Sequence, residues 1–552
     1  MLLIFMLCSV ALIARAVNLQ IMDTEFLQGE GKARYLRKVK IASTRGVITD
    51  RNGEPLAVST PVDSVWVNPP KLLEYRENIK PLAELLEADA EVIERKLTQR
   101  SGKHFVWLSR RINPNKADAI RALKIPGVNL QKEYRRFYPA GEVTAHVIGF
   151  TNIDDIGQEG LELAYDSWLA GSPGSKRIIK NRLGQTVEEV ELIKEAVPGQ
   201  DLHLSIDKRL QYLAYRELKS TVLKHGARSG SVVVLDVESG EILAMVNQPS
   251  YNPNDNSHDP DGMRNRAVTD VIEPGSVMKP IAVASVLENG VAEAGTPVET
   301  SPGYIVISGH TIRDHNNYGL LDVTGVLTKS SNVGVTKLAL ELAPEFMWDT
   351  YTRFGFGEAT GTGFPGESAG VLRSHRRWRR LEQATISYGY GVSATPLQLA
   401  QAYATIANGG KLRQPAFILG ANNPPISAVD PDIADAVAQM LETVTTTAGT
   451  GSRARVANYR VAGKTGTSHK NSASGYEATR YVSSFAGFGP VSNPKVVCVV
   501  VINDPTGDEY YGGLVAAPLF SDVMTGAMRI LNIPPDDYPT TLVDASISGG
   551  GQ

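Results

Sequence analysis

The chain has 552 residues, 42% of them hydrophobic and 21% charged, which exceeds the length of one ordinary domain and excludes a disordered polymer. Its 56 basic and 59 acidic residues leave a formal charge of −3, so no global field recruits nucleic acid. The only cysteines, Cys8 in an apolar run and Cys498 in VVCVVVI, exclude a disulfide framework.

The run Met1–Ala14, MLLIFMLCSVALIA, carries no charge, and Arg15 closes it. At about 1.5 Å per residue it is shorter than the ~30 Å hydrocarbon core. We read residues 1–22 as an uncleaved membrane anchor continuing through AVNLQIM, with all later residues on one side of the membrane. Residues 23–200 read as an N-terminal pedestal, a dimerisation-like unit. In its STRGVITDRNGEPLAVST, Asn52-Gly53 marks a hairpin between two β-rich runs. IKPLAELLEADAEVIERKL reads as helical, and Arg135-Arg136 as a brace at a domain junction.

A second unit, residues 201–535, opens with LSIDKRLQYLAYRELKSTV, where Asp207 is placed to cap an amphipathic helix. SVVVLD and EILAMV, joined by VESG, predict a hairpin, and YVSSFAGFGP and KVVCVVVIND predict later strands. Strands, then helices, then strands predict an α+β fold: an antiparallel sheet covered by helices. Residues 536–552, ending in DASISGGGQ, read as a flexible tail.

EPGSVMKP places Ser276 three residues before Lys279, so both lie on one face where a helix begins; Gly290 is the expected C′ residue of that helix. A helix N-terminus favours anions forming beside it. A lysine deprived of solvation can take the proton of a serine nucleophile. KSSNVGVTK adds Ser330-Ser331-Asn332, and VAGKTGTSH adds Lys464-Thr465-Gly466-Thr467. S-x-x-K, S-x-N and K-T-G in this order form a signature set of serine acyl-transferring enzymes that react with β-lactams.

With RGVITDRNGEPLA (45–57), YPAGEVTAHVIGF (138–150), NRAVTDVIEPGSVMKP (265–280), TKSSNVG (328–334), YGYGVSATPLQLAQAYATIANGG (388–410) and GKTGTS (463–468) in order, the chain resembles the class B penicillin-binding proteins of the septal peptidoglycan D,D-transpeptidase type over nearly its whole length. The resemblance implies a penicillin-binding transpeptidase domain on an elongated pedestal, anchored by an N-terminal transmembrane helix in the bacterial inner membrane, with the catalytic domain in the periplasm. It implies that Ser276 forms an acyl-enzyme and Lys279 acts as base. Ser330 and Asn332 relay a proton and hold the peptide amide. Lys464 and Thr465 face the substrate carboxylate, and Gly466 and Thr467 continue the substrate-binding strand. The N–H groups of Ser276 and Thr467 form the oxyanion hole. Substrates would be peptidoglycan stem peptides and β-lactams, and partners would be division proteins including a lipid II glycosyltransferase. No cofactor, metal or nucleic acid is implied.

Rival readings carry less. Position 458 is Asn458, where a Walker A loop ending at Gly463-Lys464-Thr465 needs glycine. His310, Asp314 and His315 lack the H-E-x-x-H spacing and read as a solvated loop. RSHRRWRR, 373–380, reads as a charged surface segment. Glu367 follows the S-x-N motif, as a deacylating base of a serine β-lactamase would, but no E-x-x-L-N follows. An elongation-type class B transpeptidase shares all three motifs and is the principal alternative.

Overall fold

A computed structural model describes residues 2–18, 36–180, 186–255, 259–472 and 475–537. The apolar N-terminus forms helix α1 (Leu2–Val17), and among the described residues no helix is long and apolar enough to cross a membrane. The expected continuation of the anchor through residue 22, and the tail from residue 538 onward, lie outside the described residues.

In the N-terminal unit, β1 (Ile48–Thr49) turns at Asn52-Gly53 into the long strand β2 (Pro55–Val67), with Gly53 at φ +84°. β3 (Val106–Ile112) and β4 (Val128–Phe137) flank β2 in antiparallel register. The segment expected to be helical divides into α2 (Ile79–Leu86) and α3 (Ala90–Gln99). Glu87 turns left-handed at φ 52° and Asp89 caps α3 by accepting from Glu91 N–H, so two short helices pack Leu82, Ile93 and Leu97 against Val65 and Val67. Arg136 is buried, but its brace is internal to this unit: with Arg45 it clamps Glu162, each guanidinium Nε 2.6 Å from a carboxylate oxygen. Arg135 is exposed.

Asp207 accepts from Arg209 N–H and Leu210 N–H and starts α4 (Lys208–Lys224). β5 (Ser229–Asp236) and β6 (Ile242–Gln248) form the expected hairpin. After the central helices α5 (Lys279–Glu288), α6 (Val323–Thr328), α7 (Asn332–Ala339) and α8 (Pro396–Ala407) come β7 (Ala462–Ser472), β8 (Gly475–Gly489) and β9 (Val496–Asn503), then α9 (Gly512–Ile530). The five strands form an antiparallel sheet in the order β6-β5-β9-β8-β7.

Both faces of this sheet are covered, which explains why β5 and β9 read as unbroken apolar runs rather than alternating ones. Val232, Val234, Cys498 and Val500 pack with Leu210, Leu218, Phe520 and Met524 of α4 and α9. Val233, Leu235, Val497 and Val499 face the opposite way, into a core holding Ile281 of α5 and Tyr403 of α8. That second core also takes in Ile48, Leu56 and Tyr138, so the N-terminal unit is continuous with it. β7, with the K-T-G residues, is left as an edge strand.

Candidate active site

Ser276 lies in a 3-10 turn, Gly275–Met278, that leads into α5, so Lys279 is the first α-helical residue. Gly275 reaches φ +60°, a conformation that costs a residue with a Cβ about 1–2 kcal/mol, and its N–H donates to Gly389 O. Pro280 follows Lys279 in the first turn of α5, where its missing N–H breaks no helical bond, and Gly290 closes the helix as C′ at φ +66°. Ser276 is half-buried among buried neighbours, and among the described residues its Oγ makes no hydrogen bond.

Lys279 is fully buried. Its Nζ lies 2.6 Å from Ser330 O, 2.8 Å from Asn332 Oδ1 and 3.1 Å from Ser330 Oγ. The first two partners accept only, and Asn332 is oriented by its Nδ2 donating to Arg313 O. Nζ thus faces two acceptors and one hydroxyl, which can accept from it or donate to it. Burial holds the Lys279 ammonium well below its ordinary range, the charge of Lys464 lowers it further, and Asp314 opposes both.

Ser330 occupies an uncommon backbone position at φ +58°. Helix α6 ends in a paired turn, with Ser330 N–H bonded to Leu327 O and Ser331 N–H to Val326 O, which puts Ser330 at C′, where glycine is usual. Ser331 then caps α7, its Oγ accepting from Gly334 N–H and donating to Asp314 Oδ2. Asp314 Oδ1 accepts from the N–H groups of Asn332 and Val333, the carboxylate sitting at the start of α7. Two helix ends and one carboxylate thus fix the S-x-N turn.

Across the cleft runs β7. Lys464 is fully buried, and burial pushes its pKa down to about 7; its Nζ donates to Thr465 O at 3.2 Å. Thr465 Oγ1 lies 2.8 Å from Thr450 Oγ1, and Thr467 Oγ1 accepts from Gly512 N–H at 2.9 Å. Gly466 admits the turn that holds Ser276: a Cβ there would come within 3.0 Å of Pro274 O and Val277 Cγ1. Ser468 Oγ donates to Glu273 O and ties β7 to the segment before Ser276.

Of the eight residues singled out in the sequence, Lys279, Ser330 and Asn332 meet through hydrogen bonds, and the strand carrying Lys464, Thr465, Gly466 and Thr467 packs at Gly466 against the turn that holds Ser276. Sequence reading missed Asp314, placed there in a solvated loop; it is half-buried and holds the S-x-N turn. Its signal, an acid in GHTIRDHNN, gives no hint of a contact with a turn 17 or more residues later. A row of rings was missed too: Tyr481 stacks on Tyr510, Tyr510 on Tyr511, and His315 meets Tyr511 edge-on. His310 is exposed. Glu367 is held by Thr360 Oγ1 and Thr362 Oγ1 of its own loop. RSHRRWRR is a surface segment, with Arg373, Arg376, Arg377, Arg379 and Arg380 exposed.

Residues 230–525 match the penicillin binding protein transpeptidase domain family, and residues 40–204 the penicillin-binding protein dimerisation domain family. The chain is 45% identical over 537 residues to a probable peptidoglycan D,D-transpeptidase, PbpC, of Pseudomonas aeruginosa, covering 97% of this chain and 95% of that one. It is 44% identical to peptidoglycan D,D-transpeptidase FtsI of Escherichia coli K12, covering 96% and 91%. Among solved structures, the apo transpeptidase domain of penicillin-binding protein 3 from Burkholderia pseudomallei is 42% identical, with a TM-score of 0.56 over 61% of this chain and 98% of that one. Penicillin-binding protein 3 of Mycobacterium tuberculosis, complexed with ampicillin, is 28% identical, with a TM-score of 0.72 over 91% and 98%.

Proposed function

The chain belongs to the penicillin-binding protein transpeptidases, and from that premise we propose that it is a peptidoglycan D,D-transpeptidase of the division septum, acylated at Ser276 by stem peptides and by β-lactams. The observation that carries the assignment of roles is the shell around Lys279: a buried amine, its ammonium disfavoured by burial and by Lys464, three residues after Ser276 in the turn that leads into α5.

In this reading Ser276 Oγ attacks the penultimate D-Ala carbonyl while its proton passes to Lys279. Ser330 Oγ, 3.1 Å from Lys279 Nζ, carries that proton to the departing D-Ala nitrogen. Asn332 holds the peptide amide, Lys464 and Thr465 meet the terminal carboxylate, and the extended stem pairs along the edge of β7 through Gly466 and Thr467. The N–H groups of Ser276 and Thr467 stabilise the oxyanion; removing one such donor typically costs ~10²–10³ in rate. An amine of a second strand then takes the acyl group. Attachment to the bacterial inner membrane through the apolar N-terminus, a periplasmic catalytic unit, and assembly with division proteins including a lipid II glycosyltransferase belong to the same reading.

Intact-mass spectrometry after incubation with penicillin tests it. The protein is expected to gain one adduct, and Ser276→Ala none. A stoichiometric adduct on that variant would sink the assignment of the nucleophile.

A further inference from the structure

Beside the cleft, on the far side of the seam where Ser468 bonds to Glu273, lies a cavity of about 590 Å³. Five cations line it. Two are neutralised: Arg264 and Arg266 pair with Asp270 at 3.0 and 3.2 Å, and both also reach Asp261. Arg228, Arg373 and Lys470 have no such partner; among the described residues none of their side chains makes an ion pair or a hydrogen bond. The carboxylate of Asp504, near Lys470 and Arg228, is already held by Arg480, whose Nε lies 2.8 Å away. Burial, then the charges of Arg480 and Arg228, push the Lys470 ammonium down, and the carboxylates of Asp504 and Glu477 offset this only in part. Arg228 and Arg373 are exposed and Lys470 half-buried; of the lining carboxylates Asp270 is paired and Glu273 Oε1 accepts from Gly391 N–H and Tyr476 Oη, so the three cations favour an anion in the space between them.

The cavity wall includes Glu273, three residues before Ser276, and Ser468, the residue after Thr467. Three residues of chain span about 10 Å at most, so the wall of the cavity at Glu273 lies within the about 17 Å reach of an extended pentapeptide from Ser276. We propose that the cavity is the subsite for the carboxylates of the acyl-acceptor stem peptide, held by Arg228, Arg373 and Lys470 while its amine enters the cleft. The inference rests on the transpeptidase reading above. In the step concerned, the acceptor nitrogen attacks the ester carbonyl of the acyl-enzyme, a C–N bond forms, the bond from that carbon to Ser276 Oγ breaks, and the amine proton returns to Ser276 Oγ. Water in place of the amine gives hydrolysis.

The test measures how the acyl-enzyme divides between acceptor and water, with the full chain in detergent, a thioester donor, and a stem peptide acceptor offered either as the free acid or with its carboxylates amidated. The parent is expected to prefer the acid by about tenfold, the size of one good charge contact. Arg373→Glu and Lys470→Glu should each remove that preference, leave use of the amidated acceptor within about twofold, and leave the rate of penicillin acylation unchanged. Arg373→Gln and Lys470→Gln, milder for folding, should lower the preference by about threefold. Equal use of acid and amide by the parent would overturn the inference, as would charge reversals that depress both acceptors alike. Strong competition by inorganic pyrophosphate without any effect of peptide carboxylates would assign the cavity to phosphates instead. Failure of penicillin to acylate the parent at Ser276 would strike the underlying reading rather than this subsite.

Discussion

Glu162 in the N-terminal unit and Lys279 in the cleft are both ionisable side chains with no solvent contact, but their surroundings differ in kind. Glu162 has a guanidinium on each carboxylate oxygen, Arg45 on one and Arg136 on the other, and Arg45 also reaches Asp166 at 2.7 Å. Opposite charges in contact keep one another ionised, so the cluster is fixed and serves structure. Lys279 has two carbonyl-type acceptors and a hydroxyl, Lys464 acts against its charge, and the carboxylate of Asp314, which acts for it, bonds to Ser331 and the start of α7. Without a counter-ion in contact its ammonium is disfavoured, which suits the base role proposed for it. Burial alone does not distinguish a scaffold from a catalyst; the presence of a partner charge does.

Exchanging the partner logic should break the molecule in two different ways. Lys279→Arg puts a permanently charged group where a base is required, and acylation by penicillin should fall by ~10³ or more when measured below the melting temperature, which the uncompensated buried charge is expected to lower. Stopped-flow or gel-based acylation kinetics would show it, and a normal rate would move the base elsewhere. Glu162→Ala leaves Arg45 and Arg136 buried without a counter-charge, and should cost about 3–5 kcal/mol in denaturant unfolding of the N-terminal unit. Below its melting temperature this variant should acylate at the parental rate, because no cleft residue touches the cluster. The smallest effect is expected for Asp314→Asn. That carboxylate raises the proton affinity of Lys279, so its removal should shift the acid limb of the acylation pH profile to lower pH, with about 1 kcal/mol lost from the cap of α7. A limb that stays in place would mean that another group sets the proton affinity of Lys279.

Much of this was legible in the residues themselves. The three motifs, the Asp207 cap, the turn at Asn52-Gly53 and the helix closed by Gly290 are local signals, each carried by a few adjacent residues with a defined conformational preference. What could not be read was set by distant pairing. β5 lies between β6, its hairpin partner, and β9, which is more than 250 residues further on, and no short-range pattern specifies that register. Asp314 is invisible as a site residue because its loop meets the S-x-N turn only in three dimensions. Arg136 was expected to join two units and instead locks one, since Glu162 lies 26 residues later in the same unit. The segment 79–97 read as one periodic stretch; Asp89, favourable as a cap, outweighed continuation.

The glycines that let the cleft close also limit how the protein can change under selection by an inhibitor. A Cβ at Gly389 would lie 2.1 Å from Gly275 O, one at Gly466 would lie 2.3 Å from Ser484 Oγ, and one at Gly512 would lie 2.2 Å from Gly466 O. Any side chain at these positions pushes the nucleophile's turn, or α9, away from β7. On the proposed mechanism such a shift would weaken attack on a β-lactam and on a stem peptide together, because both would use the same Ser276 and the same strand edge. Drug escape that spares growth is therefore confined to residues around this glycine seam, where a side chain can alter the fit of the inhibitor without parting the two walls.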